Sequence, residues 1–187
     1  MRVIAGTYRS RTLKGPGKLR LRPTSDRLRE TLFNILGPSV EDSLFVDLYA
    51  GTGAMGIEAV SRGARRAILV ESHAATALLA KENLAALGIR GRAEVIQADA
   101  VQGLEKMAAR HLMADFIFLD PPYQDSAAPL KVLDYLDAAH LVAPSGLVIV
   151  EHPCKTELPG RFDRLERTRL LEQGDAALSF YGLAAAA

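Results

Sequence analysis

Along the 187 residues, the spacing of apolar positions switches repeatedly between two periods. Short, nearly continuous apolar runs occur at 44–47, 67–71, 93–97, 115–120 and 147–151, and read as buried strands. Between them, 54–62, 74–87, 101–110 and 129–139 follow helical spacing, as Leu78, Leu79, Glu82 and Leu87 illustrate. Gly63, Gly88 and Gly146 stand where helices or their exit turns should stop. Strand then helix, repeated, predicts an α/β fold with a doubly wound, mostly parallel sheet, its strands covered on both faces. The tail changes character: R-T-R-L-L-E-Q-G-D-A-A-L-S-F-Y reads as two strands around a Gly174-Asp175 turn, hence a closing antiparallel hairpin.

Ahead of the first core run lie V-I-A at 3–5 and a helical pattern over 24–36. Thr24 or Ser25 is the expected cap of that helix and Pro23 fixes its entry. Leu28, Leu32, Ile35 and Leu36 form the expected buried stripe, which leaves Arg22, Arg27 and Arg29 to face a ligand or phosphates. The length suits one main domain with a small appendage, so the expected division is a basic extension at 1–38 and a catalytic domain at 39–183.

Charge sharpens this picture. The chain nets only +1, yet residues 1–36 hold nine Lys and Arg against two acidic residues, a net of +7 that leaves −6 for the rest. A basic arm on an acidic body is the footprint of a protein that docks on nucleic acid. Arg2, Arg9, Arg11, Arg22, Thr24, Arg27 and Arg29 are therefore the expected nucleic-acid-contacting set, RNA-binding residues under the resemblance given below. With 49% hydrophobic residues and no apolar run near the roughly 20 residues of a membrane span, the expectation is a cytoplasmic protein without membrane partners. Cys154 is the single cysteine, so an internal disulfide is excluded, and it reads as a packing residue. His111 and His140 lack ligand partners at metal spacing, so no metal is expected. Glu151 and His152 close the fifth run, where either a strand-end role or RNA contact fits.

Two constellations carry chemistry. The first core run leads into D-L-Y-A-G-T-G-A-M-G, a G-x-G-x-x-G between strand and helix with Gly51, Gly53 and Gly56 at its fixed positions. Such glycines permit a tight turn and close backbone approach to a ligand. Glu71, 20 residues beyond Gly51, ends the next strand where a carboxylate takes ribose hydroxyls. NAD and S-adenosyl-L-methionine both satisfy that description. Asp47 decides, because a pyrophosphate beside a strand-end carboxylate is repelled, whereas a cationic amino group and sulfonium are attracted. Asp99 is placed to accept from an adenine amino group. Tyr49, Ala50, Ser72 and Ala100 complete the expected cofactor-binding set.

The second constellation is D-P-P-Y, Asp120 to Tyr123, at the end of the fourth run. An exocyclic amine of a nucleobase is a poor nucleophile because its lone pair is delocalised into the ring. Two acceptors aimed at its N–H bonds pyramidalise it: the Asp120 carboxylate and a backbone carbonyl, that of Pro121. Pro121 and Pro122 have fixed φ and hold the carbonyl rigidly, and Tyr123 offers a face on which a base stacks.

D47-L-Y-A-G-T-G-A-M-G56 with D120-P-P-Y123 resembles the class I S-adenosylmethionine-dependent methyltransferases that act on amino groups. R2-V-I-A-G6, R9-S-R-T-L13 and R22-P-T-S-D-R-L-R-E-T-L-F-N34 are similar to the ribosomal small-subunit RNA methyltransferase D family, the bacterial 16S rRNA (guanine(966)-N2)-methyltransferases. The resemblance spans Arg2 to about Tyr181. It implies a Rossmann-like, seven-stranded sheet with a small N-terminal hairpin and helix, S-adenosyl-L-methionine as cofactor, and a monomer acting on 16S rRNA or the assembled small subunit. Asp120 to Tyr123 then grip a flipped guanine, and Thr24 and Arg27 sit near the active site or the RNA. An adenine-N6 methyltransferase shares the clamp, and a nicotinamide oxidoreductase shares the glycine loop.

Overall fold

The computed structural model describes residues 1–15, 26–123, 125 and 127–185. The expectations for Arg22, Pro23, Thr24 and Ser25 therefore lie outside the described residues. Seven strands, β1 (Leu44–Asp47), β2 (Arg66–Glu71), β3 (Ala93–Gln97), β4 (Ala114–Leu119), β5 (Val142–Pro153), β6 (Leu165–Gln173) and β7 (Ala176–Leu183), run in the order β3-β2-β1-β4-β5-β7-β6. The helices are α1 (Asp26–Leu36), α2 (Ala54–Ser61), α3 (Ala74–Ala86), α4 (Ala100–Ala109) and α5 (Ala128–Ala139). Pairing is parallel between β1 and β2, β2 and β3, and β4 and β5, and antiparallel for β7 with both β5 and β6. The mostly parallel α/β sheet with its closing hairpin is thus as expected. The chain forms two compact units, Met1–Gly103 and Leu104–Ala187.

In the first unit, β1 is buried along its whole length, as befits a strand covered on both faces. Residues 1–13 form a hairpin closed by a bridge between Arg2 and Thr12, with Val3 N–H donating to Arg11 O at 3.0 Å. Its apolar side chains Val3 and Leu13 enter the same core cluster as Ile57, Leu69 and Leu84. The hairpin is stitched to α2 by polar bonds. Ile4 and Ala5 donate N–H to the two Glu58 carboxylate oxygens at 2.8 and 3.0 Å, and Thr7 and Tyr8 donate to Ser61 O and Oγ at 2.8 and 3.0 Å. Gly6, at φ +79°, permits this approach, since a Cβ there would stand 1.9 Å from Ser61 O.

Helix α1 buries Leu28, Arg29, Leu32, Phe33 and Leu36. Phe33, stacked on Phe45 with centroids 5.6 Å apart, takes the place expected of Ile35, which is only half-buried. Arg29 is a larger correction. It does not face RNA: it is 0% exposed, because helical periodicity puts it beside Leu28 and Leu32. Its guanidinium donates to Arg2 O at 2.7 Å and Asp26 at 2.9 Å, and lies 3.9 Å from Glu58, itself 0% exposed. Arg62 closes this charge cluster, 2.8 Å from Glu58.

In the second unit, Gly146 ends no helix. It lies inside β5, where residues 143–146 bulge out between the Ala114–Val142 and Phe116–Leu147 pairs. Pro144 is tolerated there because a bulge residue owes the ladder no N–H. Helix α5 instead stops at His140, and the turn after α4 passes through His111, both left-handed at φ 53° and 52°. The closing hairpin pairs Gln173 with Ala176 across Gly174-Asp175, and Gly174 supplies the positive φ that such a two-residue turn demands. His152 is buried, its Nδ1 donating to Pro153 O at 2.9 Å, so the neutral ring accepts from Ser179 Oγ at Nε2, also 2.9 Å. Cys154 is half-buried and packs by that turn, its Sγ 3.3 Å from Gly174 O.

Two outcomes are expected. Glu58→Ala strips two backbone donors and the Arg62 guanidinium of their acceptor and leaves the buried Arg29 without its neighbouring carboxylate, and should cost about 3–5 kcal/mol in urea unfolding. Unchanged stability would contradict the stitched arrangement. Burial pushes the His152 pKa below its ordinary 6.5, outweighing the Pro153 carbonyl that raises it, while Arg167 lowers it further. The unfolded chain then takes up a proton that the native chain refuses. Stability is full above that ordinary value and falls as pH drops below it. Urea midpoints compared at neutral and mildly acidic pH should fall less in His152→Gln than in the parent, and equal falls would contradict the assignment.

Candidate active site

The glycine loop is built where β1 ends and α2 begins, within the first unit. Gly51 and Gly53 have φ of +53° and +85°. A Cβ at Gly53 would meet Leu69 at 2.8 Å, and one at Gly56 would meet Leu69 at 2.9 Å, so these two glycines let loop and helix settle on β2. Among the described residues nothing lies within 4 Å of a Cβ built on Gly51, whose outer side is open to them.

The loop's backbone is held from several directions. Tyr49 N–H meets Asp47 Oδ1 at 3.3 Å, Ala50 N–H donates to Val70 O at 2.9 Å, and Gly53 N–H donates to Ala50 O at 2.7 Å. Glu71 accepts from Gly51 N–H at 2.9 Å with one oxygen and from His73 N–H at 2.8 Å with the other. Asp99 accepts from Gln102 N–H at 2.9 Å and so caps α4. Glu71 and Asp99 therefore do the structural work of ordering loops and helix starts. A carboxylate oxygen accepting one bond keeps acceptor capacity, so this work leaves room for ligand contacts. Asp47 is 1% exposed. Among the other expected positions, Ala50 and Ala100 are buried, Tyr49 is half-buried and Ser72 exposed. The donor set fits a nucleoside without phosphates: carboxylates end β1 and β2 and a third stands two residues past β3, and Gly51 leaves a cradle that a side chain would fill.

The second unit carries the D-P-P-Y segment at the end of β4. Asp120 is half-buried, Pro121 buried and Pro122 exposed, while Tyr123 is 37% exposed and so presents its ring to solvent. Asp125 N–H donates to Pro122 O at 2.9 Å, which folds the chain back toward α5 and commits that carbonyl. Asp125 in turn caps α5, accepting from Ala128 N–H with its side chain at 3.1 Å. Among the described residues no donor reaches the Pro121 carbonyl, leaving it as the candidate second acceptor beside Asp120. Acceptors and an exposed aromatic ring within four residues can bind an amine on a planar base.

Of the expected RNA-contacting residues, Arg2, Arg9, Arg11 and Arg27 are exposed, and Arg29 is interior. Sequence reasoning missed Glu58 and Asn83. Both are polar residues inside helices, each with partners in the N-terminal hairpin segment more than fifty positions away, and the only signal in the chain is a carboxylate or carboxamide on a face otherwise apolar. Among the described residues no cluster of three or more His, Cys, Asp or Glu is arranged to hold a metal, and no helix is long and apolar enough to cross a membrane.

The family described as conserved hypothetical protein 95 matches residues 1–182. Ribosomal RNA small subunit methyltransferase D of Escherichia coli K12 is 36% identical over 159 residues, covering 85% of this chain and 78% of that one. YlbH of Bacillus subtilis strain 168 is 34% identical over 181 residues, covering 97% and 98%. Among solved structures, yhhF from Escherichia coli matches with a TM-score of 0.84 at 33% identity, covering 100% of this chain and 99% of that one. An RNA methyltransferase from Salinibacter ruber, solved with S-adenosyl-L-homocysteine, matches with a TM-score of 0.67 over 89% and 96%, at an identity of 15% that speaks for fold alone. With the family matched across almost its full length and with these relatives, the chain belongs to the conserved hypothetical protein 95 family, that of the ribosomal RNA small subunit methyltransferase D proteins.

Proposed function

We propose that the protein transfers a methyl group to the N2 amine of one guanine, position 966, in 16S ribosomal RNA. The observation that carries this reading is the D-P-P-Y segment, with two candidate acceptors and an exposed tyrosine, on a chain whose glycine loop fits a phosphate-free nucleoside. S-adenosyl-L-methionine, when bound, supplies an electrophilic methyl group on a good leaving group. Asp47, Glu71, Asp99 and the Gly51–Gly53 backbone are the residues that would hold it.

The chain's own task is to prepare the amine. Asp120 and the Pro121 carbonyl accept its two N–H bonds, which draws the nitrogen out of the ring plane and frees its lone pair. Stacking on Tyr123 is worth roughly 1–3 kcal/mol per base in comparable sites and fixes the plane of attack. Because the leaving group is already good, positioning and electrostatic support suffice for most of the rate, and no strong base is required. Asp120 takes the released proton directly or through water. A base inside folded RNA reaches such a clamp only by leaving its stack, at a cost of a few kcal/mol. The exposed Arg2, Arg9, Arg11 and Arg27 would offset that cost through phosphate contacts sensitive to salt.

The test is Asp120→Ala with under-modified small subunits and free 16S rRNA as substrates, the product digested and its methylated nucleoside identified by mass spectrometry. Turnover should fall at least about 100-fold, while calorimetric affinity for S-adenosyl-L-homocysteine stays within about twofold, because the cradle residues are untouched. The parent product should be N2-methylguanosine. Full activity in the variant would remove the clamp from the mechanism, and N6-methyladenosine would overturn the choice of base.

A further inference from the structure

Asn83 lies in the middle of α3 at 1% exposure, with every polar hydrogen and its carbonyl engaged. Its Oδ1 accepts Lys14 N–H at 2.8 Å, and its Nδ2 donates to Lys14 O at 3.1 Å and to Thr52 O at 3.0 Å. The orientation of the carboxamide is dictated by these partners, since the flipped amide would point oxygen at two carbonyls. One buried side chain thus holds two backbone segments. Lys14 belongs to the N-terminal hairpin segment, and Thr52 is the middle residue of Gly51-Thr52-Gly53.

The Thr52–Gly53 peptide is pinned at both ends, its carbonyl by Asn83 and its N–H by Ala50 O at 2.7 Å. A Cβ at Gly53 would come within 3.5 Å of the Ala80 Cβ, one turn before Asn83, so the loop already rests on α3. Asn is a poor choice inside a helix on propensity alone. Here it replaces what an apolar residue would supply by burial, while the neighbouring Leu84 packs in the shared core. If Lys14 leaves its place, Asn83 loses two of its three partners and the restraint that turns Nδ2 toward Thr52. We propose that Asn83 is a positioning residue that makes the shape of the cofactor loop depend on the seating of the N-terminal arm. This rests on the reading above, in which that loop holds the methyl donor and the arm meets RNA. An RNA that draws the arm away from α3 weakens donor binding, and one that presses it home strengthens it, and in each case the donor changes the affinity for that RNA by the same factor.

The test uses the full-length protein. Lys14→Pro deletes the N–H given to Asn83 at a residue whose side chain is exposed, and its circular dichroism and urea midpoint are read beside the parent's to show that it folds. Lys14→Ala is its control, because it keeps the backbone bonds and removes only the surface pair with Glu82, 2.9 Å apart. Asn83→Leu removes the carboxamide from the core side and is read where it folds. Affinity for S-adenosyl-L-homocysteine by calorimetry should weaken about five- to tenfold in Lys14→Pro and Asn83→Leu and stay within about twofold in Lys14→Ala. In the ligand-free protein, amide exchange at Gly53 should quicken in the same two variants only. With RNA substrate, KM for the donor should rise while kcat at saturation is largely recovered. A parent protein that binds no S-adenosyl-L-homocysteine would defeat the functional reading itself. A parent that binds it, with Lys14→Pro equal to Lys14→Ala in affinity and exchange, would overturn the role of Asn83 alone.

Discussion

A carboxylate with no access to solvent must be surrounded by donors, and Glu58 collects them from three directions. Two come from the backbone of the N-terminal hairpin, one from Arg62 a turn further along α2, and the Arg29 guanidinium stands at 3.9 Å. Buried charges are worth little as net stabilisation but are costly to separate, so such a cluster selects one arrangement over its competitors more than it deepens the well. It fixes where the hairpin lies on α2. The basic segment 1–15 is thereby a built part of the first unit rather than a loose tail.

The same logic extends to the glycine loop. Its peptides are restrained by Asp47, Val70, Glu71 and Asn83, three of them side chains or strand ends that the sequence places for other reasons as well. Glu71 and Asp99 cap and brace, as many strand-end carboxylates do, and that role is compatible with receiving hydroxyls or an amine on their remaining lone pairs. A loop rigid before the ligand arrives spends less of the binding energy on ordering. In the second unit Asp125 performs the corresponding service for D-P-P-Y, taking the Pro122 carbonyl and capping α5 at once.

Much of this was legible in the residues. Apolar runs located β1 to β4 to within a residue, and the buried β1 and β4 most plainly, because a strand buried on both faces has few polar positions to obscure it. Strand β5 begins five residues before its apolar run, across the bulge. Gly174-Asp175 announced its turn, since few other pairs reach the required φ. What escaped reading depends on partners far along the chain. Gly146 looked like a helix stop, yet it belongs to a bulge that exists only because β5 must keep register with β4 around Pro144. His140 and His111 close helices in the left-handed conformation usually left to glycine. Arg29 counted as one more cation of a basic arm until its neighbour Glu58, buried on another helix, drew it inward. Asn83 bonds across 69 and 31 positions, and no local pattern reports that.

The central claim is that the open loop over Gly51 takes a phosphate-free nucleoside. Calorimetry of the parent protein with S-adenosyl-L-homocysteine and with NAD, in parallel, tests it most directly. Saturable binding of the first and none of the second is the predicted result. Binding of NAD with no heat from S-adenosyl-L-homocysteine would contradict it.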